Sequence, residues 1–118
     1  VNQPKKILLI NKKYSKDLDF FNEDFLEVFK SKDLKQILNS LSETDICSLL
    51  VEAGPKLATS FLEARCVDQI ILYTSSKALG KNGVSWFKED NAIENYGFKL
   101  ESSYKIDSDT KQIYIKDE

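Results

Sequence analysis

With 118 residues, 42% hydrophobic and 31% charged, the chain is long enough to bury one core and too short for two. Its 17 basic and 19 acidic residues leave a net charge of −2, so no concentrated positive field is available to hold nucleic acid. The absence of histidine removes Ser-His and Cys-His nucleophiles and the commonest zinc ligand, leaving chemistry to carboxylates, backbone groups or a cofactor.

Along the chain, Lys5 to Ile10 reads KKILLI, a short continuous apolar run that predicts a strand buried on both faces. Lys13 to Asp24 is polar with Phe20 and Phe21 embedded, which suits a loop with one helical turn. Phe25 to Phe29 alternates apolar and polar positions. Ser31 and Asp33 then offer capping oxygens to a helix whose Leu34, Ile37, Leu38 and Leu41 share one face.

Ile46 to Val51 predicts a second buried strand, and Pro55 suits the first turn of the helix that follows, where its missing N–H is no loss. Leu57, Ala58, Phe61 and Leu62 form the inner face of that helix. Val67 to Tyr73 is rich in branched residues and predicts a strand, so strand, helix and strand are expected to make a right-handed crossover with parallel strands. Cys47 and Cys66 lie in or beside these apolar elements, where free thiols act as small buried hydrophobes; two cysteines make no disulfide framework.

Gly80-Lys81-Asn82-Gly83 marks a loop within Ser75 to Ser85, with Trp86 and Phe87 as apolar anchors behind it. Phe98, Leu100, Tyr104 and Ile106 alternate with polar residues, and after Asp107-Ser108-Asp109-Thr110 the apolar pattern resumes at Ile113 and Ile115. This predicts an antiparallel hairpin closing the sheet. No apolar run approaches the roughly 20 residues needed to cross a bilayer, and the N-terminus lacks a signal-peptide pattern, so a soluble cytoplasmic chain without membrane partners is expected.

Ligand chemistry is expected at the carboxyl end of the Ile46 to Val51 strand, because open α/β sheets bind ligands where their strands end. Gly54 lets backbone approach a phosphate, and the helix start near Pro55 favours an anion, with Thr59 and Ser60 adding hydroxyl donors. A single glycine at such a turn also serves plain steric needs. Glu52, directly after the strand, either accepts hydrogen bonds from sugar hydroxyls or is a solvated strand-end charge. Lys56, Lys77 and Lys81 either neutralise phosphate or are simply solvated. Asp107 and Asp109 are explained by turn chemistry, and no metal site is expected.

The run LLVEAGPKLATSFLEARCVDQIILYTSSKALGKNG, from Leu49 to Gly83, resembles the reductase domain of the bacterial bifunctional riboflavin-biosynthesis protein, whose fold is similar to dihydrofolate reductase. The matching features are Val51-Glu52-Ala53-Gly54, the helix end Phe61-Leu62-Glu63-Ala64, the Val67-Asp68 entry to the next strand and the Lys77 to Gly83 loop. The resemblance implies one α/β domain over residues 1–118, the C-terminal portion of a pyrimidine reductase domain. Its sheet would be mixed and mainly parallel, flanked by helices and closed by the C-terminal hairpin. It also implies NADPH-dependent reduction of 5-amino-6-(5-phosphoribosylamino)uracil, with hydride delivered to ribose C1 as the sugar opens to a ribityl chain. By the same resemblance Glu52 contacts the substrate ribose, and Gly54, Pro55, Lys56, Leu57, Ala58, Thr59 and Ser60 contact the cofactor. No residue is singled out as the general acid.

The chain is shorter than such a reductase domain, and the absent part is expected to be N-terminal. The zinc deaminase signature is also absent, so the companion deaminase activity is not expected here. The competing class is a non-catalytic nucleotide-binding or dimerisation module of the same fold, and weak self-association into a homodimer is expected to cover an exposed sheet edge. A phosphoacceptor receiver domain is disfavoured because the first strand ends in Ile10-Asn11-Lys12 without an acidic cluster.

Overall fold

The computed structural model describes residues 4–9, 26–29, 33–85 and 93–117. Expectations for Lys13 to Asp24, Ser31, Trp86 and Phe87 lie outside the described residues. The chain divides into two compact units, Val1–Leu49 and Leu50–Glu118.

In the first unit the apolar run becomes β1 (Lys6–Leu9), paired in parallel with β2 (Leu26–Phe29) in a register that sets Lys6 opposite Leu26. Helix α1 (Leu34–Ser42) follows because Asp33 takes the extended cap conformation and its Oδ1 accepts from Gln36 N–H at 3.2 Å. Leu34, Ile37 and Leu41 are buried and Leu38 half-buried, as their spacing predicts. Thr44 closes the helix, its N–H and Oγ1 both donating to the Leu41 carbonyl.

The second unit contains α2 (Pro55–Glu63), β3 (Gln69–Thr74), β4 (Phe98–Ile106) and β5 (Asp109–Lys116). Two short 3-10 turns, Gly80–Asn82 and Ile93–Tyr96, lie between β3 and β4. The sheet order is β3-β5-β4 and both pairings are antiparallel. Ile106 pairs with Asp109, so the hairpin turn is the two residues Asp107 and Ser108, tighter than the four-residue turn expected. Asp107 takes φ 54°, a left-handed conformation that a short polar side chain tolerates. A register shift between Leu100 and Ser102 bends β4.

The core of this unit is Leu62, Ile93, Phe98 and Tyr114, with Val67, Ile70, Leu72 and Tyr96 packed against it. Leu62 is the link between α2 and the sheet. The helix ends in a doubled turn: Arg65 N–H donates to Leu62 O at 3.0 Å and Cys66 N–H to Phe61 O at 3.2 Å. That geometry places Arg65 at φ 54°, where glycine is the usual residue.

Four expectations are corrected. Ile46 to Val51 is not a strand: Leu49, Leu50 and Val51 are exposed, and no strand among the described residues pairs with the segment. An apolar run supplies the side chains of a buried strand but not the neighbouring ladder that makes it one. The parallel crossover through α2 therefore does not form, and β3 instead takes β5 as an antiparallel neighbour. Only β1 with β2 is parallel among the described strands, so a mainly parallel sheet is not what they build. Cys47, expected in a core, is exposed because the strand expected to bury it is not formed, while Cys66 is half-buried.

Candidate functional site

The predicted site residues lie at the start of α2, and local sequence explains its geometry. Gly54 is the cap residue, with φ −70° and ψ 175°, and its carbonyl accepts the first helical hydrogen bond, from Ala58 N–H at 3.0 Å. Pro55 occupies the first turn, where its ring fixes φ and its lack of an N–H leaves nothing unsatisfied. The Lys56 and Leu57 N–H groups precede the first intrahelical donor and so have no acceptor within the helix. Gly54 has no side chain to cap them.

Gly54 stands in open space. Its φ is ordinary and a Cβ there would meet no atom within 4 Å, so neither strain nor crowding demands glycine. What glycine contributes is an uncapped helix start with open space before it. No acidic residue lies in the first turn, so the positive end of the helix dipole is not offset there. Two convergent amides, an adjacent Lys56 and an open approach are the donor set that a phosphate group requires.

Thr59 and Ser60 were expected to add hydroxyl donors near a phosphate, and in the structure both hydroxyls donate back to the helix. Thr59, at 3% exposure, donates from Oγ1 to the Pro55 carbonyl at 2.7 Å. Ser60, on the exposed side, donates from Oγ to the Lys56 carbonyl at 3.0 Å. Glu52 and Lys56 are exposed, and Leu57 and Ala58 half-buried. Glu52 follows an extended exposed segment rather than a sheet strand, two residues before the helix cap.

Lys77 and Lys81 lie on the exposed loop after β3. That loop is tied down by Asp109, whose Oδ1 accepts from Ser76 N–H at 3.3 Å across 33 residues of sequence. Linear spacing carries no signal for this contact. A separate concavity of about 300 Å³ lies at the other end of α2, lined by Leu62, Arg65, Tyr96, Phe98 and Lys116 among others, and includes none of the predicted site residues. Among the described residues no cluster of metal ligands occurs, and no helix is long and apolar enough to cross a membrane.

Solved structures define the class. The chain is similar to Acinetobacter baumannii RibD, form 2, with a TM-score of 0.78 at 23% identity, covering 98% of this chain and 38% of that one. It is similar also to the Thermotoga maritima diaminohydroxyphosphoribosylaminopyrimidine deaminase/5-amino-6-(5-phosphoribosylamino)uracil reductase, with a TM-score of 0.66 at 24% identity over 93% of this chain and 30% of that one. The fold is thus the dihydrofolate reductase-like α/β fold of RibD reductase domains.

Sequence comparison gives the family. Residues 2–112 match the RibD C-terminal domain, and the chain belongs to that family. The riboflavin biosynthesis protein RibD of Buchnera aphidicola subsp. Baizongia pistaciae is 33% identical over 94 residues, 74% of this chain and 24% of the relative. That of Aquifex aeolicus is 34% identical over 76 residues, 63% of this chain and 21% of the relative. The chain thus spans about a quarter of the length of the curated relatives it matches.

Proposed function

We propose that this chain is the cofactor- and ribose-binding portion of a riboflavin-biosynthesis reductase, taking NADPH at the start of α2 and the ribose of 5-amino-6-(5-phosphoribosylamino)uracil beside Glu52. The observation that carries it is the uncapped helix start behind open space, found at residues 54–57 of a RibD C-terminal domain. When bound, NADPH would supply the hydride for reduction at ribose C1.

The residues of the chain bind and orient. The Lys56 and Leu57 amides donate to phosphate oxygens, where the helix dipole adds its attraction, and the Lys56 ammonium offsets further negative charge. Glu52 has only acceptors when ionised and receives hydrogen bonds from sugar hydroxyls. Held at this separation in sequence, carboxylate and amides divide one ligand pair by chemistry: hydroxyls to one, phosphate to the other.

Gly54→Asp tests the assignment because it moves two quantities in opposite directions. The cap dihedrals suit aspartate and the added side chain meets open space, so folding stability rises by about 0.5–1 kcal/mol in thermal or urea unfolding. The same carboxylate occupies the amides and repels phosphate, so NADPH affinity, read from quenching of Trp86 fluorescence, falls about tenfold or more. Unchanged NADPH affinity in a stabilised variant would remove the start of α2 as the cofactor site. Binding without NADPH oxidation in the presence of the pyrimidine would favour the non-catalytic module.

A further inference from the structure

The concavity at the carboxyl end of α2 lies wholly within the second unit and includes no residue of the proposed cofactor site. Its floor is the outer side of the core, where Leu62 and Phe98 are buried and Val67 half-buried. Tyr96, half-buried, supplies an aromatic wall, and the exposed Arg65, Lys116 and Asp117 form the rim. Backbone holds that rim in place: Asp117 N–H donates to the Gly97 carbonyl at 2.8 Å, which ties the chain just after β5 to the chain just before β4.

Two of the rim charges are already matched. Lys116 Nζ lies 3.2 Å from Asp68 Oδ1, and Asp117 Oδ1 lies 3.3 Å from Lys99 Nζ. Among the described residues the Arg65 guanidinium makes neither a hydrogen bond nor an ion pair. The rim and its partners therefore carry a surplus of one positive charge, with Arg65, Lys99 and Lys116 set against Asp68 and Asp117. Arg65 also sits at φ 54°, where a Cβ is disfavoured and glycine is usual. A merely solvated cation is served as well at any exposed position without that cost, and backbone strain gathers where a side chain is held for a ligand. The carbonyls that end α2 are engaged, those of Ser60, Phe61 and Leu62 accepting from the N–H groups of Ala64, Cys66 and Arg65 respectively, which weakens the negative end of the helix toward an anion.

We propose that this concavity binds a small carboxylic acid carrying one apolar ring, with the carboxylate on Arg65 and the ring against Leu62, Val67 and Phe98 beside Tyr96. The proposal goes beyond the cofactor assignment and does not rest on it. An apolar cavity of about 150 Å³ holds one benzene ring. The concavity, at about 300 Å³, therefore admits the ring, its acid group and the water around that group, and is too small to enclose a dinucleotide. The guanidinium fork meets a carboxylate with two parallel hydrogen bonds. The single surplus charge selects a carboxylate over a phosphate monoester, which brings about −1.5 to −2.

The test uses the full chain and nitrogen–proton correlation spectra, with benzoate as the probe. Benzyl alcohol keeps the ring and drops the charge; inorganic phosphate keeps a charge and drops the ring. Benzoate is expected to give saturable shifts centred on the Arg65, Val67 and Gly97 amides, benzyl alcohol to bind there about tenfold more weakly, and phosphate to leave those amides unmoved. Arg65→Gly relieves the backbone and is expected to lower benzoate affinity about tenfold, whereas Arg65→Lys keeps the charge without the fork and loses about threefold. Absence of saturable benzoate shifts at these amides overturns the proposal. Benzyl alcohol binding as tightly as benzoate overturns it too, since the site would then be apolar only, and so does phosphate moving the same amides as strongly. Parental benzoate affinity in Arg65→Gly removes the carboxylate from Arg65 and with it the proposal. Benzoate shifts centred on Lys56 and Leu57 have the same consequence, because the anion would then lie at the other end of α2.

Discussion

At the residue scale the site is a division of labour among neighbours along a few positions of chain. Glu52 is exposed and ionised groups of its kind only accept, so its proposed partner is a sugar hydroxyl. Glu52→Gln keeps the shape and replaces one acceptor oxygen by a donor. It is expected to raise the KM for the pyrimidine about tenfold or more while NADPH affinity changes less than twofold, in steady-state assays of NADPH oxidation. Equal use of limiting substrate by the Gln variant would count against the Glu52 role. Part of the local geometry was legible in sequence: a helix start with Pro55 in its first turn follows from local rules. The direction of the Thr59 and Ser60 hydroxyls did not. Both outward and backbone-directed rotamers are open to such residues, and composition does not decide between a ligand and the carbonyl four residues back.

At the scale of elements, periodicity predicted well wherever the partner of an element is local. The α1 face of Leu34, Ile37 and Leu41, its Asp33 cap and the β4–β5 hairpin form as read. Ile46 to Val51 did not, because strand identity depends on a neighbouring ladder that the segment itself does not encode. The antiparallel pairing of β3 with β5 joins residues far apart in sequence, such as Gln69 with Ile115, and branched residues alone do not specify the direction of the neighbour. The end of α2 offers a check on local strain. Arg65 occupies a left-handed position, φ 54°, that its Cβ disfavours. Arg65→Gly is expected to stabilise the chain by about 0.5–1 kcal/mol, measured by urea unfolding. A loss of stability would show that the Arg65 side chain contributes more than its backbone position costs.

At the scale of the whole molecule, the chain forms two compact units, and the assembled candidate site, from Glu52 to Ser60, lies in the second. Membership of the RibD C-terminal domain family was accessible from the run Leu49 to Gly83, since a string of ordinary features becomes specific in combination. Sheet architecture was less accessible: the expectation of parallel strands came from the spacing of apolar runs, which is compatible with more than one pairing. In the second unit, helix α2 starts without a side-chain cap and with no carboxylate in its first turn.

The most direct measurement is a nitrogen–proton correlation titration of the chain with NADPH. Saturable downfield shifts of the Lys56 and Leu57 amide protons, the largest in the spectrum and reproduced at smaller amplitude by inorganic phosphate, are expected from phosphate bound at the start of α2. Saturable shifts centred instead on Arg65, Tyr96 and Lys116, at the other end of that helix, or no shift at Lys56 and Leu57, would contradict the account.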